Sequence, residues 1–150
     1  MENNSFGILS LFLVFMAIAI ALGVVFPTAP LMAAMYVVIA LFGFLLMLVS
    51  YCAKCPCRQS GCSHVLPGKL VGLLPKRKEV PYTPMDYAFT IIGAAAVLLI
   101  PQLWLIHNIP AFVMFWLCVV VAALVSYLLV CPDCPNKYCF LCGNKEKTKK

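Results

Sequence analysis

The residues with the most chemistry to offer are the cysteines. The 150-residue chain holds nine, and eight of them fall into two groups of four. Cys52, Cys55, Cys57 and Cys62 form the first, with His64 two residues further on, in the pattern C-x2-C-x-C-x4-C-x-H. Cys131, Cys134, Cys139 and Cys142 form the second, in the pattern C-x2-C-x4-C-x2-C. Two residues between cysteines let both sulfurs face one centre while the intervening backbone turns around them. Two such pairs supply four thiolates, enough for a tetrahedral zinc ion or an iron–sulfur cluster. Cys118 stands alone in an apolar run and reads as a small packing residue.

The segment Cys139-Phe140-Leu141-Cys142-Gly143 resembles a zinc knuckle, in which glycine lets the backbone turn after the last ligand. The resemblance covers about a dozen residues, from Cys131 onward, and implies zinc. The first group offers five donors for four positions, so His64 is a further candidate ligand beside the cysteines. Prolines follow Cys55, Cys131 and Cys134, as they often follow iron–sulfur ligands, although the bacterial ferredoxin run C-x2-C-x2-C-x3-C-P is not present. Zinc is favoured, an iron–sulfur cluster is the alternative, and thiol–disulfide or metal-handling chemistry is a third reading. Two separate sites are favoured over one cross-braced site shared by Cys52, Cys55, Cys139 and Cys142.

The elements that must position these residues are membrane spans. The chain is 64% hydrophobic and 11% charged, against roughly 45–50% and about 25% in soluble domains. Four runs of 21 or 22 residues match the roughly 20 needed to cross a bilayer: Phe6–Phe26, Leu31–Tyr51, Met85–Ile106 and Ile109–Val130. Asp86 is the one charged residue within them. The leader Met-Glu-Asn-Asn-Ser carries an acid and no base, so the first run is expected to be a retained span and not a signal peptide. All eleven Lys and Arg residues lie either between the second and third runs or after the fourth. With four spans those two segments share a side, and the positive-inside rule assigns it to the cytoplasm. Both termini and both cysteine groups are expected there, in a cell membrane or an inner membrane. That compartment keeps thiols reduced, which is why metal is favoured over disulfides.

The expected fold is an all-α integral membrane protein, a four-transmembrane-helix bundle. Residues 1–51 form a first hairpin and 84–130 a second. Residues 52–83 form a cysteine-rich basic cytoplasmic loop, and 131–150 a cysteine- and lysine-rich tail. Short outer turns at 27–30 and 107–108 make sequential spans antiparallel neighbours. Thr83-Pro84-Met85-Asp86 reads as a capped helix start, and Pro101 is expected to kink the third span near its outer end. Ala17, Ala19, Ala21 and Gly23, and the run 93–96, offer small faces for helix contact.

Much is argued against. Neither histidine lies within a span, so a haem between the helices is disfavoured. No Lys, Arg, Glu or His sits at mid-membrane depth, which argues against a proton-coupled pump. No Ser-His-Asp set, phosphate loop or carboxylate pair is visible, so hydrolase and kinase chemistry is disfavoured. Lys76, Arg77 and Lys78 fit a topology signal touching anionic lipid and make a thin case for nucleic acid. The apolar stretch from Val65 to Leu74 is expected at the interface, with Lys69 outward. The functional expectation is a membrane-anchored binding or scaffold subunit with a protein partner or a second copy. Electron transfer through iron–sulfur clusters is the alternative.

Overall fold

A computed structural model describes residues 3–55, 65–74 and 82–133. Among these all regular structure is helical: α1 (Asn3–Thr28), α2 (Pro30–Ser50), α3 (Val65–Gly72), α4 (Pro84–Leu99), α5 (Gln102–Leu105) and α6 (Ile109–Val125). A 3-10 turn, Cys52–Lys54, extends α2. A π turn, Ser126–Val130, and a second 3-10 turn, Cys131–Asp133, extend α6. Four helical stretches among the described residues are long and apolar enough to cross a membrane: Ser5–Thr28, Pro30–Lys54, Pro84–Leu105 and Ile109–Val130. They coincide with the four runs read from the sequence.

Only 17–28% of each span's most apolar stretch is buried within the chain. Phe12, Phe15, Leu41, Phe42, Ile91 and Leu117 are among many large side chains turned outward. A soluble protein does not expose apolar surface on this scale, whereas hydrocarbon solvates it.

The helix starts and breaks follow local chemistry. Thr83 caps α4, and the capping box is complete. The Thr83 hydroxyl accepts from the Asp86 N–H at 3.4 Å, and the Thr83 N–H donates to Asp86 Oδ2 at 2.9 Å. Pro84 takes the first position, where its missing N–H removes no helical bond. The third span breaks at Ile100–Pro101 and resumes as α5, because proline has no N–H to continue the ladder. Asn108 caps α6 by accepting from the Ala111 N–H at 3.2 Å.

The spans pack in two pairs that cross the hairpins. The first span lies chiefly against the fourth, and the second chiefly against the third. In the second pair Gly43 and Gly93 meet backbone to backbone. A Cβ built on Gly43 would lie 2.9 Å from the Gly93 carbonyl oxygen, and one on Gly93 would lie 2.8 Å from that of Gly43. The Tyr36 hydroxyl donates to the Val97 carbonyl at 2.9 Å, closing the same pair further out. In the first pair Ala17, Ala21 and Val25 are buried at helical spacing. Ala19 and Gly23, the other small residues named in that span, are exposed. The core joins all four spans through Ala17, Ala21, Tyr36, Leu105 and Phe115.

Candidate thiol and metal site

Two lateral contacts define one end of the bundle. The Lys54 ammonium, just past α2, bonds Asp86 Oδ2 at the start of α4, and both side chains are buried. The Ser10 hydroxyl, early in α1, donates to the Ala122 carbonyl at 3.2 Å and shares a 2.7 Å hydrogen bond with the Ser126 hydroxyl. The start of the first span, the end of the second, the start of the third and the end of the fourth therefore lie together. Cys52, Cys55 and Cys131 follow or belong to those ends.

Cys52 opens the 3-10 turn, and the Cys55 N–H donates back to the Cys52 carbonyl at 3.1 Å. Cys52, on the turn, and Cys55, just past it, are half-buried and in the thiol form. Lys54, between them in sequence, turns inward to Asp86.

Asp86 Oδ2 also accepts from the Thr83 hydroxyl at 2.7 Å and the Thr83 N–H at 2.9 Å. A carboxylate taken out of water needs its charge opposed and its lone pairs filled, and here one oxygen receives three donors. A tyrosine group flanks the pair. Tyr51 stacks on Tyr82 with ring centroids 4.3 Å apart, and Tyr87 meets Tyr51 edge-on at 6.3 Å. Aromatic rings with a polar tip suit the boundary between hydrocarbon and water.

On the fourth span the π turn brings the Cys131 N–H to the Ser126 carbonyl, five residues back. The wider turn resets the direction in which Cys131 leaves the helix. Cys131 is buried and disulfide-bonded. Cys118 packs half-buried against the core, as expected of a small apolar residue.

Cys57, Cys62 and His64 of the first group, and Cys134, Cys139 and Cys142 of the second, lie outside the described residues. So do Lys76, Arg77 and Lys78. Among the described residues no three Cys, His, Asp or Glu side chains converge as a metal site. Sequence reasoning missed the Lys54–Asp86 pair. Its signal was a lone lysine directly after one span and a lone acid at the start of the next.

No family of known proteins matches the chain, and neither a curated protein nor a solved structure does.

Proposed function

We propose that this is a small membrane-anchored thiolate protein. Its two cysteine-rich segments face the cytoplasm and bind metal, with zinc favoured. The metal-folded segments dock a protein partner or a second copy of the chain. Segments this short have too little core to fold alone, and metal binding supplies the missing free energy. The observation that carries the reading is that Cys52, Cys55 and Cys131 start from the same end of the bundle, with the Cys55 N–H bonded to the Cys52 carbonyl. The basic residues of the intervening loop and tail favour the cytoplasmic side for that end and partly offset the thiolate charge.

The disulfide at Cys131 favours a second reading, in which the same cysteines cycle between dithiol and disulfide. It also fits a metal site that has lost its ion and been oxidised, since two released thiolates that give up two electrons to an oxidant such as dioxygen or a second disulfide form one disulfide.

Anaerobic purification followed by metal analysis, an absorption spectrum and thiol counting separates the readings. The expected result is colourless protein with bound zinc and slowly alkylated thiols. Replacing Cys139 and Cys142 by Ser then removes about one equivalent of zinc if the second group is one site. Metal-free protein with rapidly alkylated thiols overturns the metal reading in favour of dithiol exchange. A brown iron-containing protein replaces zinc by an iron–sulfur cluster.

A further inference from the structure

The strongest unassigned feature is a cavity of about 400 Å³ inside the bundle, in the half nearer the cysteines. It lies in the seam between the two helix pairs. Ser10 and Val14 come from the first span, Met47 from the second, Ala94 from the third, and Ala123 and Ser126 from the fourth. The seam exists because each pair closes on itself. Gly43 on Gly93 draws the second span to the third, and Ala17 and Ala21 let the first approach the fourth. The side chains left between the pairs do not fill the gap.

The walls restrict what can enter. The lining is almost wholly apolar. The hydroxyls of Ser10 and Ser126 bond each other, and Ser10 also bonds the Ala122 carbonyl. Water needs two or more polar partners to settle in a cavity, and an ion needs more. The volume falls within the roughly 300–1,000 Å³ of small-molecule sites. An empty apolar gap forfeits the dispersion contacts of its lining, so methylene groups are the fitting occupant. The gap is not enclosed but partly open to the outside of the bundle. A chain lying in the bilayer therefore has a lateral entry.

Charge selects the headgroup. Ser126 lies five residues before Cys131, one π turn along the span. A chain in the seam thus has its head near the basic end of the bundle. There α3 rests on the bundle through the buried Val71 and presents Lys69 outward. Among the described residues Lys69 is the exposed cation at that end, and the chain carries a net charge of +6. We propose that the seam holds one acyl chain of an anionic phospholipid, with its phosphate at the basic end. This site is independent of any metal at the cysteines.

The test is native mass spectrometry of the full chain in mild detergent, with phosphatidylglycerol and phosphatidylcholine offered in turn. The expected result is one phospholipid retained per chain. Phosphatidylglycerol should be preferred about fivefold or more, the effect of one lysine near an anionic headgroup. Ala94→Phe and Ala123→Leu fill the seam and should each lower occupancy by at least about tenfold. A melting curve reports whether each variant is folded. Occupancy unchanged in a folded variant overturns the proposal, since the lipid would then be bound on the outer surface only. So does a wild-type chain that retains no phospholipid, that shows no headgroup preference, or whose retained molecule is a free fatty acid or a quinone. If both variants fail to fold, the wild-type count and preference decide the matter.

Discussion

At the scale of single residues, Lys54 and Asp86 do the most to organise the cysteine end. Lys54 lies in sequence between Cys52 and Cys55, and its bond to Asp86 ties the C-x2-C turn to the start of the third span. Removing one member of a buried ion pair leaves the other charge uncompensated and typically costs about 3–5 kcal/mol. Lys54→Met alone is therefore expected to lower the thermal midpoint in detergent or nanodiscs markedly. Adding Asp86→Asn should recover part of the loss, because the stranded carboxylate is gone. A double variant as unstable as the sum of the singles would show that the two groups do not interact. In the sequence each residue had a local reading, Asp86 as an acid at a helix start and Lys54 as one of the basic residues of the loop. Their partnership spans 32 residues and depends on how the second span lies against the third.

At the scale of elements, the crossing of α2 and α4 at Gly43 and Gly93 is the tightest inter-helix approach the glycines report. The atoms that a new side chain would strike are backbone, which cannot rotate away. Gly93→Ala is expected to force the helices apart at a cost of about 1–3 kcal/mol, as overpacking does elsewhere. Gly23→Ala is the matched control. Nothing lies within 4 Å of its added carbon, and exchanging glycine for alanine in a helix contributes up to about 1 kcal/mol of stability. Thermal unfolding of the two variants side by side checks both signs, and equal midpoints would refute the close-packing argument. Gly93 belonged to a small-residue run visible in the sequence. Gly43 was not singled out, because an isolated glycine in a span has no local signature of its partner. The outer break at Pro101 was legible, since proline acts on its own helix.

At the scale of the whole molecule, four spans put both basic segments on one side, and their charge makes the cytoplasm the expected side. A membrane-impermeant thiol reagent applied to intact cells is expected to leave Cys55 unmodified and to react once the cells are opened. Labelling of Cys55 in sealed cells would invert the topology. Disulfides would then replace metal as the natural state of the cysteines. The sequence by itself determined the spans, their shared basic end, the capped start of the third and the break at Pro101, because hydrophobic length, charge bias and proline act along the chain. Only the tertiary structure decided that the first span seeks the fourth and the second the third, that Lys54 meets Asp86, and that a cavity remains between the pairs. Those outcomes depend on which faces interlock across long separations, and apolar runs that look alike in sequence carry no mark of their partner.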